Sequence, residues 1–300
     1  MDGQRLTGHL AAGCAYAIFG LNIVFTKDIA NSSAISPEAL FGIRMILAAA
    51  VFWLASLFVK KEKVPLKDLG AMFPAALLGL MLPQYTFLKG ITMASTIDTS
   101  ILGSLTPVWT MIFAAIFLKE PLSFKKALGV LISFGGAMLL IFSSLRFKGA
   151  GPQTTGTGLA LLLSNSMFFA AYLGIFRPLI KRYGVITLMK WMFLFSALLA
   201  LPVSIKPIFS VNYGAISTLV YLETGYLVLF ATVVAYFLIP VGQQRLRPTV
   251  VSMYTYLQPI IAVAISIIIG MDALTPQKII AILLVFVGVF IVNRSKAAAT

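Results

Sequence analysis

A chain of 300 residues that carries one cysteine, one histidine and nine acidic residues has little with which to bind metals or move protons. The lone thiol, Cys14, excludes an intramolecular disulfide and any cysteine-cluster metal site. Its setting among Ala and Gly reads as an inert buried thiol. His9 is the single histidine, placed at the mouth of the first apolar run with no motif around it, so a serine–histidine pair has no sequence support. Asp98 and Glu223 are not set in a paired-aspartate protease signature. No GxxxxGK[ST] loop is present, so the chain does not itself hydrolyse ATP, and no ATPase subunit is implied. No cofactor is called for. Charge is scarce as well: 11% of residues are Asp, Glu, Lys or Arg, against about a quarter in soluble domains. So few charges cannot cover the surface of a water-soluble fold of this size.

What is present is apolar sequence in long blocks. Hydrophobic residues make up 60% of the chain, and the mean hydropathy is +0.98. A bilayer core about 30 Å thick needs ~20 apolar residues per helix. The blocks predict an all-α polytopic membrane protein of ten transmembrane helices, at about 8–27, 36–59, 69–90, 95–118, 123–145, 155–177, 185–206, 215–241, 247–270 and 275–293. The N-terminal run reads as the first of these spans and not as a removable signal. The connections are short and polar, as in Lys60–Lys67 and Lys119–Lys126.

The formal net charge is +14, which raises the question of nucleic acid. Nucleic-acid sites need a clustered basic face, whereas these cations sit in short loops between apolar blocks. That is the pattern that fixes membrane orientation. With both termini on the cytoplasmic side, 15 of the 23 Lys and Arg residues fall inside and 6 outside. The expectation is a multi-pass protein of the plasma (bacterial inner) membrane, with the lipid bilayer as its environment. Oligomeric state is left open.

The chain repeats itself. Aligning Pro107 with Pro259, an offset of 152, also brings together Ser100 and Ser252, Lys126 and Lys278, Gly136 and Gly288, and the acids Glu120 and Asp272. Upstream, Gly8 matches Gly158 and Lys27 matches Arg177 at an offset of 150. The Gly- and Thr-rich stretch 147–158 lies near the midpoint, so the halves are expected at 1–148 and 149–300. Five helices per half is an odd number, so the second half must enter the membrane with opposite polarity. The resulting inverted-topology repeat is a common plan among secondary transporters. Its mechanical meaning is alternating access to a central site. A channel-like facilitator and an intramembrane enzyme are the rival readings.

The residues also carry a resemblance. The run Ala17-Ile-Phe-Gly-Leu-Asn-Ile-Val-Phe-Thr-Lys27 is similar to the first-helix signature of the EamA family of the drug/metabolite transporter superfamily, with Phe19 where Trp is commoner. Pro37 and Arg44 resemble the family's second-helix pattern, with Met45 in place of Phe. The run from Pro107 through Glu120-Pro-Leu-Ser to Gly129 and Gly136 resembles its fourth-to-fifth-helix block, and Pro259 to Gly288 is a looser second copy. The resemblance covers nearly the whole chain. It implies ten helices in two inverted halves, a cavity lined by helices 1–4 and 6–9, and transport of amino acids, other metabolites, drugs or toxic cations. Export is the expected direction.

In hydrocarbon a polar side chain needs a partner or a water-filled cavity. The candidate substrate-binding residues are therefore the polar and aromatic side chains in mid-helix: Asn22, Gln84, Tyr85, Ser104, Trp109, Asn165, Tyr172, Tyr236, Tyr254 and Gln258, with Thr106 and Tyr256 beside them. Several pair under the repeat, such as Asn22 with Tyr172 and Gln84 with Tyr236. Each also has a packing alternative, as interface aromatic or helix–helix hydrogen-bonding group. Arg44 is either a structural anchor, snorkelling or paired with Glu38, or a gate or substrate contact that meets a substrate carboxylate or Glu223. Pro107 and Pro259 are repeat-equivalent and are candidate hinges. A neutral or zwitterionic metabolite with an apolar part, such as an amino acid, suits these side chains better than a polyanion.

Overall fold

A computed structural model describes residues 3–94, 96–144, 155–268 and 275–295, and every regular element among the described residues is helical. The helices are α1 (Gly3–Ser32), α2 (Pro37–Ala55), α3 (Leu66–Thr92), α4 (Thr96–Gly103), α5 (Thr106–Leu118), α6 (Phe124–Ser144), α7 (Gly156–Ile175), α8 (Arg177–Arg182), α9 (Val185–Ser210), α10 (Thr218–Arg245), α11 (Pro248–Met253), α12 (Leu257–Ile268) and α13 (Pro276–Asn293). Eight spans are long and apolar enough to cross a membrane: α1, α2, α3, the stretch Asp98–Leu118, α7, α9, α10 and α13. The expected spans at 123–145 and 247–270 are not among them. The first corresponds to α6, which runs to the edge of the described chain. The second is interrupted by a 3-10 turn at Tyr254–Tyr256 and passes into residues outside the description. Asp272 and Gly270 also lie outside the described residues.

Local chemistry sets where helices begin. Ser36, Thr155, Ser217 and Thr275 each turn a side-chain oxygen onto a backbone N–H three residues on, at the starts of α2, α7, α10 and α13. These caps satisfy donors that a helix N-terminus leaves unpaired. Two helices widen into π-turns in mid-span: α3 at Leu77–Met81 and α10 at Leu229–Val234. Such bulges release backbone groups from the regular ladder and frequently sit at functional sites.

Packing is closest where side chains are smallest. Helices α6 and α13 cross antiparallel. Ser133 Oγ donates to Val285 O at 2.9 Å. A Cβ on Gly129 would stand 2.8 Å from Gly288 O, and one on Gly136 2.8 Å from Ala281 O. Small residues let helix backbones approach in lipid, where apolar burial alone provides little driving force. Helices α2 and α9 also run antiparallel, with Phe52 stacked on Phe193 and Gly42 against Ser204.

The two ends of the bundle are tied differently. At one end Arg182 bonds both oxygens of Asp68 at 2.6 Å, and the Gly184 N–H donates to Glu62. Segments 60–68 and 182–184 therefore meet on the same side. At the other end Ser33, Ser36 and Glu38 share a groove with Lys206, Asn212 and Ile216. Near the end of α1, Lys27 Nζ donates to Ile91 O and Ala94 O, at the C-terminus of α3. Beside the C-terminus of α10, Arg177 Nε donates to Gln243 O. Cations are favourable at such carbonyl-rich helix ends. Leu54, Phe58, Phe124, Leu131, Leu222 and Phe286 are exposed apolar side chains on the outer surface, the expected face toward lipid. Cys14 is among the exposed residues and not buried as its Ala/Gly setting suggested, since small neighbours do not decide which side of a helix is covered.

Candidate functional site

A cavity of about 720 Å³, counted with its open mouth, lies at the centre of the bundle. Helix α1 contributes Tyr16, Phe19, Asn22 and Ile23, spaced so that one face of the helix lines the space. Arg44 enters from α2, Gln84 and Phe87 from α3, Asn165 and Phe169 from α7, and Tyr236 from α10. Thr106, Thr255 and Gln258 complete it from the segments where α4 gives way to α5 and where the 3-10 turn precedes α12. Irregular backbone at membrane depth is tolerated where it lines a cavity or is buried in protein. Pro107 stands at the start of α5 and so helps to end α4 there.

One side of the cavity is aromatic. Tyr236 meets Phe19 edge-on at 5.4 Å and Phe169 at 6.3 Å. The other side is polar and poorly satisfied. Gln84 is 4% exposed, and among the described residues neither its Oε1 nor its Nε2 has a hydrogen-bond partner within 3.5 Å, its polar neighbour being the Tyr236 hydroxyl. Among the described residues Asn22 Oδ1 is also buried without a partner, and Tyr16 Oη and Thr255 Oγ1 neighbour each other without a hydrogen bond within 3.5 Å. Asn165 differs, since its Nδ2 donates to Pro83 O at 2.7 Å and ties α7 to α3. Unpaired buried polar atoms are costly in low dielectric, and here they converge on a space that a ligand or water can fill.

Among the described residues Arg44 is the one charged side chain of the lining. It is 2% exposed, so it does not snorkel. Its Nε donates to Thr232 Oγ1 at 2.8 Å. Thr232 in turn donates to Leu227 O, five residues back in the π-turn of α10. The expected pairing with Glu38 is not formed, because Glu38 bonds Lys89 instead. Glu223 is buried and precedes Thr232 by nine residues on the same helix, about 14 Å at 1.5 Å per residue.

Of the residues expected from sequence, the cavity brings together Asn22, Gln84, Asn165, Tyr236 and Gln258, with Arg44 and Thr106. The remaining candidates stand outside its lining. Tyr85 packs edge-on against Phe41 at 5.5 Å. Ser104, in the turn after α4, donates its Oγ–H back to Ser100 O. Trp109 is half-buried with Nε1 unpaired. Tyr172 is buried against Phe169, Phe176 and Gly79, where its bulk is matched by the absent side chain. Tyr254 Oη is 2.7 Å from His9 Nδ1. Pro107 is buried at its helix start, and Pro259 is the third residue of α12. Sequence reading passed over Tyr16, Phe169 and Thr255. Phe169 could have been found, since it is Phe19 shifted by the same 150 that links Gly8 to Gly158.

Comparison with known proteins now bears on the fold and the cavity. The EamA-like transporter family matches residues 6–142 and again residues 156–294. The chain belongs to that family. EamA proteins are membrane transporters of the drug/metabolite superfamily, and this chain is a multi-pass membrane transporter of that kind. It is similar to the uncharacterized transporter YetK of Bacillus subtilis (strain 168), with 25% identity over 296 residues, covering 96% of this chain and 87% of YetK. A WAT1-related protein of Arabidopsis thaliana is 32% identical over 136 residues, 42% of this chain and 37% of its own. A solved crystal structure superposes with a TM-score of 0.74 over 97% of this chain and 96% of the other, at 16% identity, a likeness of fold.

Proposed function

We propose that this EamA protein is a secondary carrier that exports small metabolites, amino acids or related compounds, across the plasma membrane by alternating access, with both termini cytoplasmic. The observation that carries the reading is the composition of the cavity wall. It includes four pairs of positions that the internal offsets make equivalent: Phe19 and Phe169, Gln84 and Tyr236, Gly103 and Thr255, Thr106 and Gln258. A site shared between two related halves is what an inverted-repeat carrier needs. The ten-helix, two-repeat plan with halves at 1–148 and 149–300 is supported in several ways. The π-turns of α3 and α10 stand 152 residues apart. The α2–α9 and α6–α13 pairs are antiparallel. Lys27 on Ile91 O is mirrored by Arg177 on Gln243 O. The paired matches of the family to residues 6–142 and 156–294 agree with it.

The substrate-binding assignment follows the cavity: Asn22, Gln84, Asn165, Tyr236 and Gln258 hold the substrate. Tyr85, Ser104, Trp109, Tyr172 and Tyr254 act behind that wall. Purified protein in liposomes is the test. A carrier shows saturable uptake and counterflow of a preloaded amino acid, and Gln84→Ala lowers it several-fold without loss of membrane insertion. Unsaturable flux without counterflow would instead favour a channel.

A further inference from the structure

We infer that the cavity selects metabolites bearing a single carboxylate, which docks on the guanidinium of Arg44; the inference rests on the carrier reading above. Arg44 is buried, permanently charged, and part of the wall. A guanidinium offers five N–H donors, and among the described residues only the Nε–H is used, on Thr232. No carboxylate of the described residues pairs with it. Glu38 is committed to Lys89, and Glu223 lies more than two turns away along α10. A buried cation without a counter-ion is strongly unfavourable, and a carboxylate supplied by the ligand removes that penalty. Carboxylate and guanidinium also match in shape, with two parallel hydrogen bonds.

The rest of the wall defines the body of the ligand. With one cation in the lining, a second anionic group would enter without compensation, and a cationic ligand would be repelled. The unpaired Gln84 and Asn22 oxygens accept hydrogen bonds from an ammonium or hydroxyl group. Phe19, Phe169 and Tyr236 face an apolar or aromatic portion.

Three compounds that share one aromatic body separate headgroup from shape: 3-phenylpropionate, 3-phenylpropionamide and 3-phenylpropylamine. Binding to the full-length protein in detergent is read by thermal shift and by equilibrium titration. The propionate is expected to bind at least about tenfold tighter than the amide, the range of a charge-assisted hydrogen bond, and the amine weakest. Arg44→Gln should abolish that preference, and Arg44→Lys, which keeps the charge but not the fork, should retain part of it. Thr232→Val, which leaves the guanidinium in place, should keep the preference; if Arg44→Gln does not fold, Arg44→Lys takes its place, and an undiminished preference in that variant likewise overturns the inference. Equal binding of amide and acid by the wild type, absence of any acid binding, or an intact preference in Arg44→Gln overturns the inference. The same compounds in proteoliposomes separate the two readings. Saturable flux of amide and amine without preference for the acid leaves the carrier standing and removes the carboxylate site. Arg44-dependent acid binding without flux keeps the site and removes the carrier.

Discussion

Lys126 and Glu120 form an ion pair at 2.6 Å with side chains 0% and 4% exposed. Thr249 Oγ1 lies 3.4 Å from the same carboxylate oxygen. Removing one member leaves the other charged and buried, at a cost of about 3–5 kcal/mol, whereas replacing both can be close to neutral. Lys126→Met is therefore expected to lower thermal stability in detergent markedly, and the double variant Glu120→Gln/Lys126→Met to recover most of the loss. Gln84 has the opposite character, a buried amide that among the described residues makes no hydrogen bond within 3.5 Å, with the Tyr236 hydroxyl as its polar neighbour. Gln84→Leu should leave stability unchanged or raise it by about 1 kcal/mol, while transport falls. Denaturation midpoints read beside uptake rates check the pair. At this scale the sequence was legible where a polar side chain interrupts an apolar run, as Asn22, Gln84 and Asn165 do. It was silent where the side chain is common in lipid-facing helices, as with Phe169. Tyr172 stands outside the lining because mid-helix position does not specify direction, and Gly79 across from it gives the ring a place in the packing.

Among elements, the α6–α13 crossing depends on the absence of side chains. A Cβ on Gly288 would lie 2.4 Å from Gly129 O and 2.7 Å from the Ser133 N. Gly288→Ala must push two backbones apart, and overpacking of this kind costs about 1–3 kcal/mol. Since neither α6 nor α13 lines the cavity, substrate affinity measured on the surviving folded protein is expected to stay within about twofold of wild type. Helix positions were legible because apolar length and polar linkers are strong signals. The π-turns and the 3-10 turn at Tyr254–Tyr256 were not. A bulge changes which backbone groups are paired while leaving composition the same. The α10 bulge nonetheless decides what Arg44 touches, since Thr232 sits within it.

For the whole molecule, sidedness is the property most open to measurement. Cys14 is the single native thiol, so a Cys14→Ala background accepts new cysteines one at a time. Cysteines at positions 61 and 181 should react with a membrane-impermeant reagent from the same side, and those at 34 and 212 from the opposite side. Reaction of 61 and 181 from different sides would contradict the contact of Asp68 with Arg182. Charge bias and the repeat made this arrangement readable from sequence.

The fastening at the two ends is unequal. Lys27 makes two bonds, at 2.8 and 3.0 Å, where Arg177 makes one at 3.4 Å. A machine whose halves were perfect copies would idle with equal time facing each compartment. Under the proposed alternating access, the firmer clasp beside Lys27 is expected to bias this carrier toward one of the two facings. Lys27→Met is expected to shift the idle preference, seen as a changed ratio of half-saturation constants for loading from the two faces of an oriented vesicle. An unchanged ratio would mean that the imbalance is set elsewhere.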